Sequence, residues 1–210
     1  MSAPSRSLEI ELTFDVDADT PLPALERLPG VAAMRGPERR ELDARYFDVP
    51  GYVLGRAGYA VRRRTGGPDA GWHIKGPKGV EGGRVETHWP LDAAEGGAPG
   101  IPSAVLAAVE GIAPGPLAPI ARIRNDRHAY ALVDDAGRVV AEFVDDHVDA
   151  IDEARGVHTS WREWEIELGE AAPSSPDDRA ALFAAAAELV ARVGGRPAAS
   201  DSKLARALGA

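Results

Sequence analysis

Residues 161–168 read WREWEIEL. In an extended chain, residues i, i+2 and i+4 point to one face. Glu163, Glu165 and Glu167 therefore share one face, and Trp164, Ile166 and Leu168 the other. The stretch LEIEL at 8–12 repeats the pattern, with Glu9 and Glu11 set against Leu8, Ile10 and Leu12. AVRRR at 60–64 does the same with Arg62 and Arg64. An ordinary sheet scatters such charges over solvent. Here carboxylates line some strands and arginines line others. That is the pattern of a polar barrel wall able to hold metal ions and a polyanion.

The rest of the chain supports an antiparallel β protein. Besides 8–16, strands are predicted over 38–48, 58–65, 70–76, 84–91, 119–133, 139–149 and 160–169, about eight in all. TGGPDAG (65–71) reads as a hairpin turn, GYVLGRAG (51–58) as a turn or short irregular helix, and GPKGVEGG (76–83) as a loop. AAEGGAPG (93–100) reads as a linker. Helices are predicted at 21–28, 101–112, 174–194 and, more briefly, 201–208. The third has Ser175 at its N-cap, Pro176 in its first turn, Asp177 and Asp178 at the positive dipole end, and Gly194 and Gly195 at its stop. No βαβ rhythm is present. The fold class expected is α+β, mainly β: an eight-stranded antiparallel closed barrel with flanking helices, in one domain spanning 1–210.

Composition narrows the function. The chain has no cysteine, which excludes disulfides, thiolate metal sites and a cysteine nucleophile. No apolar run approaches the roughly 20 residues of a membrane helix, and MSAPSRS lacks the apolar core of a signal peptide. A cytoplasmic protein that binds no membrane is expected. A net charge of −9 argues against a general nucleic-acid binder. The five histidines show no zinc spacing along the chain. P-loop, dinucleotide-binding and serine-elbow motifs are absent.

The acidic set is Glu9, Glu11, Glu86, Glu142, Asp146, Glu163, Glu165 and Glu167. Clustered carboxylates repel unless a cation sits among them, and Mg²⁺ or Mn²⁺ suits oxygen ligands. The plainer reading is a solvated strand face paired with arginines. The basic set is Arg62, Arg64, Lys75, Arg84, Arg122, Arg124, Arg127 and Lys203. Arginine's planar fork suits phosphate oxygens, although each could also be a surface charge or an ion-pair partner. Arg39, Arg40, Arg63 and Lys78 are read as surface residues, and Tyr46, Phe47, Trp72 and Trp164 as core.

In order along the chain, these motifs resemble the CYTH family, the triphosphate tunnel metalloenzymes. EIEL is similar to the family's ExExK signature at Glu9 and Glu11. DARYFDVPGYVLGRAGYAVRRR resembles its YFDT-P…L-R-x-R block, with Asp43, Tyr46, Phe47, Asp48, Arg62 and Arg64. GWHIKGP carries Lys75, RVE carries Arg84 and Glu86, and ARIRNDR carries Arg122 and Arg124. EFVDD and EWEIEL resemble the later acidic strands, and SK near the end places Lys203.

The resemblance implies a closed barrel around a tunnel and metal-dependent hydrolysis of a triphosphate. Inorganic triphosphate comes first, with thiamine or nucleoside triphosphate as other substrates. It implies catalytic roles for Glu9, Glu11, Lys75, Glu165 and Glu167. It implies phosphate contacts from Arg62, Arg64, Lys75, Arg84, Arg122, Arg124 and Lys203. It also implies metal ligation by Glu9, Glu11, Asp146, Glu163, Glu165 and Glu167, with Mg²⁺ or Mn²⁺ as cofactor. The alternatives are a class IV-type adenylate cyclase and a non-catalytic polyphosphate or nucleotide binder. The signature lysine is Thr13 here, which supplies no positive charge. A lysine restored at 13 is expected to raise triphosphate affinity or turnover. The parity of Arg127 opposes that of Arg122 and Arg124 unless a bulge intervenes. No helical CHAD domain follows these motifs, so the chain is expected to act alone.

Overall fold

The computed structural model describes residues 3–79, 82–91, 100–200 and 202–209. The linker expected at 93–100 falls almost wholly outside them, as does the middle of the 76–83 loop. All the strands join one antiparallel sheet. They are β1 (Ser5–Glu9), β2 (Glu11–Val16), β3 (Ala33–Asp48), β4 (Ala60–Thr65), β5 (Gly71–Lys78), β6 (Arg84–Pro90), β7 (Ala118–Val133), β8 (Val139–Asp152), β9 (Val157–Leu168) and β10 (Arg196–Pro197). The order is β1-β6-β5-β4-β3-β7-β8-β9-β2-β10.

The count corrects the expectation of eight strands closed into a ring. The first predicted strand is two, because the segment changes partner at Ile10. Before it, β1 pairs with β6; after it, β2 pairs with β9. The two-residue β10, which pairs with β2, accounts for the tenth strand. The ladder has ends, but β1 lies at one and β2 next to the other, and they are consecutive in the chain. The sheet therefore curls so that β1 and β2 adjoin at Ile10, whose carbonyl accepts a hydrogen bond from the Leu168 amide at 3.0 Å.

The apolar face of the alternating strands lies on the outside of the curl and is covered by helices. Phe14, Phe143, Trp164 and Ile166 are fully buried there beneath α3 (Pro176–Arg192). Leu182, Ala186 and Val190, spaced four apart, form the stripe that α3 buries. Burial of each large side chain stabilises by about 1.5–3 kcal/mol. Ser175 caps α3 as expected, its hydroxyl accepting from the Asp178 amide at 3.1 Å. A second apolar layer joins Val61, Trp72, Ile74 and Trp89 to Val105 and Val109 of α2 (Ser103–Val109). The helix expected at 21–28 is a single 3-10 turn, Leu25–Arg27; Leu25 and the Leu28 that follows the turn extend the α3 cluster.

Two turns aim β4. The buried Asp48 carboxylate accepts from the amides of Val49 (2.7 Å), Leu54 (3.0 Å) and Gly55 (3.0 Å), pinning the start of α1 (Val53–Arg56). At the far end of β4, Gly66 has φ +77°, and a Cβ there would meet the Glu41 carbonyl oxygen at 1.9 Å, so only glycine closes this hairpin. The last helix, α4 (Lys203–Leu208), packs Leu204 and Ala207 against Tyr46, Ile123 and Ala150 inside one end of the curl. Among the described residues, no helix is long and apolar enough to cross a membrane.

Candidate active site

The inner face of the sheet encloses a cavity of about 360 Å³. Its wall includes six carboxylates and seven cationic side chains among the described residues. Glu9, Glu11, Glu165 and Glu167 stand on β1, β2 and β9, while Arg62 and Arg64 come from β4, and Arg84 from β6, where it is the ladder partner of Glu9. The alternation read from the sequence places these groups. Tyr46 lies across from Arg62 and Ala44 from Arg64 in the β3–β4 ladder, so Arg62 and Arg64 point inward and Arg63 outward.

Lys75 joins the two sides. Its Nζ lies 3.0 Å from Glu9 Oε2 and 2.7 Å from Glu11 Oε1. Burial disfavours its charge, but Glu11 and Glu9 more than offset this and hold its pKa above the usual lysine range. Glu167 sits across from Glu11 on β2 and from Glu142 on β8. Burial, with Glu9 and Glu11 adding repulsion, pushes its carboxyl up to about 7. Glu9 is raised as well, chiefly by burial. This side of the cavity thus has more negative charge than Lys75 alone compensates.

On the basic side, Arg62 Nη1 donates to the Tyr46 hydroxyl at 3.4 Å, and Nη2 lies 3.4 Å from Glu86 Oε2. Glu86 is itself held by His73 Nδ1 at 2.5 Å. Burial pulls the His73 imidazole down to about 4, so it stays neutral at pH 7. Arg64 pairs with Asp69. Burial first, and then Arg62 and Arg127, lower its pKa from the ordinary arginine value. The Nε atoms of Arg62 and Arg64 are buried without a hydrogen-bond partner. Unused donors in a crowded positive wall call for an anion.

A second group lies beside these carboxylates on the same inner face. Arg127 Nε and Nη2 grip Asp146 at 2.8 and 2.7 Å, and Nη2 reaches Glu165 at 2.8 Å. Lys203 Nζ lies 3.0 Å from Asp146, 2.5 Å from Glu163 and 2.6 Å from Glu165. The donor atoms of Asp146, Glu163 and Glu165 are all within 4.8 Å of one another, close enough to share a cation. The cation present is the Lys203 ammonium. Asp146 and Glu163 share the inner face with Arg127 and Glu165 but are buried and do not line the cavity.

Arg122 and Arg124 require a correction. The β3–β7 ladder runs without a bulge from Arg124 to Arg127, so Ile123, Asn125 and Arg127 face the cavity. Arg122 and Arg124 face out, 40% and 58% exposed, and their nearest carboxylate is Asp43, at 2.5 and 3.8 Å. They cannot reach an anion in the cavity. Arg40, read as a surface residue, is instead part of the wall and binds Glu142 at 3.0 and 3.1 Å. Its signal was parity: Arg40, Leu42, Ala44 and Tyr46 alternate on one face of β3. The remaining expected residues, Glu9, Glu11, Arg62, Arg64, Lys75, Arg84, Glu165, Glu167 and Lys203, all line the cavity.

The CYTH domain profile matches residues 7–192, and it covers every cavity residue just described except those of α4. The chain belongs to the CYTH domain family. It is 37% identical, over 99% of its length, to an uncharacterised protein found in two strains of Mycobacterium tuberculosis. The match takes in 41% of that protein, so this CYTH chain spans about two-fifths of the length of the curated relatives it matches. Among solved structures, it resembles a candidate adenylate cyclase of Bacillus halodurans, with TM-score 0.64 and 19% identity over 96% of this chain and 97% of that one. A Hippeastrum protein, studied as a candidate adenylyl cyclase and found to have dominant triphosphatase activity, gives TM-score 0.55 and 17% identity over 96% and 95%. A protein of Pyrococcus horikoshii gives 0.56 and 15% over 96% and 98%. At these identities the resemblance establishes the fold.

Proposed function

We propose that this CYTH domain is a metal-dependent triphosphatase acting inside the inner-face cavity, with inorganic triphosphate as its first substrate. The observation that carries the reading is the divided wall. Buried guanidiniums with unused Nε donors face carboxylates that hold more negative charge than their neighbours neutralise. The donor set fits a hard divalent cation such as Mg²⁺ or Mn²⁺, and the surplus charge around Glu167 supports it. Glu9, Glu11, Glu165 and Glu167 would hold that cation. When bound, it would neutralise phosphoryl charge and activate a water for in-line attack.

The chain's own residues supply the rest. Arg62 and Arg64 donate to phosphate oxygens, with Arg84 and Arg40 along the same wall. Lys75, already charged between Glu9 and Glu11, follows charge from the carboxylates to the anion. Arg127 stands in the place expected of Arg122 and Arg124. Asp146 and Glu163 anchor Lys203, and through it α4, at the end of the cavity. The curled sheet is read as a closed barrel, with residues 5–16 as one wall strand that changes partner at Ile10. The 210 residues act as one domain.

The adenylate cyclase reading uses the same grip on the triphosphate and differs in what leaves. The activity of the Hippeastrum protein favours hydrolysis. Incubation with inorganic triphosphate, thiamine triphosphate and ATP, each with Mg²⁺ or Mn²⁺, separates the cases. Phosphate release supports the proposal. Cyclic AMP with pyrophosphate would make the chain a cyclase, and binding without turnover would make it a non-catalytic binder.

A further inference from the structure

The outer face of β7 and β8 carries a second cluster of metal-ligating side chains, across the sheet from the cavity. Asp126 and His128 alternate on β7, and Asp145 and His147 on β8. The ladder sets Asp126 across from His147, and His128 across from Asp145. Residues directly opposite share a face, and the intervening Arg127 points into the cavity, so these four point outward.

His147 Nε2 lies 3.7 Å from Asp145 Oδ1, and His128 Nε2 lies 3.8 Å from Asp126 Oδ1. The two imidazole centroids are 5.7 Å apart. Donor atoms of His128, Asp145 and His147 all fall within 4.8 Å of one another. In a tetrahedral zinc site with bonds of about 2.0–2.1 Å, donors stand about 3.3 Å apart. His128 and His147 are 33% and 48% exposed, so solvent reaches both rings and both can turn.

The carboxylates are fixed from behind. Arg39 grips Asp126 at 2.7 and 3.0 Å. Arg162 grips Asp145 at 2.8 and 2.9 Å, and the Trp164 indole donates to Oδ1 at 3.0 Å. A carboxylate offers about four lone-pair sites, so each retains acceptor capacity. Ligating carboxylates held by a further hydrogen bond are usual around metals. Because the guanidiniums already balance the carboxylate charge, a hard cation gains little here and the imidazoles decide. Imidazole favours Zn²⁺, Co²⁺, Ni²⁺ and Cu²⁺ over Mg²⁺.

We propose that His128, His147 and Asp145, with Asp126 at the rim, form a site for one divalent transition-metal ion of the zinc type on the outer wall. An ion there links β7 to β8 beside Trp164 and stabilises the folded chain by mass action. It takes no part in chemistry inside the cavity.

The test is calorimetric titration of the chelator-stripped chain with Zn²⁺, in excess Mg²⁺ to fill oxygen-only sites. One Zn²⁺ per chain is expected, with affinity falling at least tenfold in His128→Ala and in His147→Ala but not in His158→Ala. In the intact chain, nitrogen NMR of the imidazoles should show His128 and His147 shifting on Zn²⁺ addition while His73 stays put. No Zn²⁺ binding above the Mg²⁺ background would overturn the proposal. So would unchanged binding in the double variant, equal loss in His158→Ala, or shifts confined to other histidines.

Discussion

Thr13 stands directly across the β2–β9 ladder from Glu165, whose carboxylate already holds the Lys203 ammonium at 2.6 Å. Arg127 reaches the same carboxylate at 2.8 Å. Two cations, from α4 and β7, thus already meet Glu165 in a chain that has no lysine at 13. A lysine at 13 would bring a third cation to Glu165, which alters the expectation drawn from sequence. Thr13→Lys alone should not raise turnover. Lys203→Ala should lower kcat/KM for triphosphate by roughly 10- to 100-fold, the loss of one charge-assisted contact. Thr13→Lys placed in Lys203→Ala should recover part of it. Steady-state kinetics of the three variants decides.

Replacing Arg62 or Arg64 by alanine should cost about 2–4 kcal/mol in kcat/KM, as for donors in a confined site. Arg63→Ala and Arg124→Ala should each change it by less than about 0.5 kcal/mol, since both are exposed on the outer face. Comparable losses at Arg62 and Arg63 would refute the register of β4.

Much of this was legible in the chain. Alternation gave the inner carboxylates and the Arg62–Arg64 face, because a one-residue slip would expose Trp164 and Ile166. Arg122 and Arg124 were misread because their spacing mimics Arg62 and Arg64. Only the ladder, unbroken from Arg124 to Arg127, shows which parity faces inward. The split at Ile10 depends on which neighbours its strand halves find, and the pairing of His128 with Asp145 joins strands that sequence periodicity treats separately.

Arg127→Ala should destabilise the fold by about 3–5 kcal/mol, because Asp146, fully buried, loses its bidentate partner. Urea denaturation at pH 7 measures it. A loss below about 1 kcal/mol would mean that Lys203 alone satisfies Asp146.

Glu167 makes stability depend on pH. Its folded pKa of about 7 exceeds the unfolded value of 4.5, so the folded chain binds the extra proton between them. Stability from this group is therefore present below about pH 4.5 and lost as pH rises through 7. His73, lowered to about 4, works in the opposite sense up to its unfolded value of 6.5. The difference between Glu167→Gln and wild type isolates Glu167. The variant should gain on the order of 2–3 kcal/mol relative to wild type between pH 5 and pH 8 in metal-free buffer, read from denaturation midpoints. A gap that does not change with pH would remove the repulsion argued for Glu9, Glu11 and Glu167.

The central claim is that carboxylates and guanidiniums facing each other across one cavity hydrolyse a triphosphate with a divalent ion. The most direct measurement is phosphate release from inorganic triphosphate across a Mg²⁺ titration, for wild type, Glu11→Gln and Arg62→Ala. The account predicts no release without metal. It predicts a rightward shift of the Mg²⁺ curve in Glu11→Gln, and a lowered rate at saturating Mg²⁺ in Arg62→Ala. Release that persists in chelator, or that is the same in all three proteins, would contradict it.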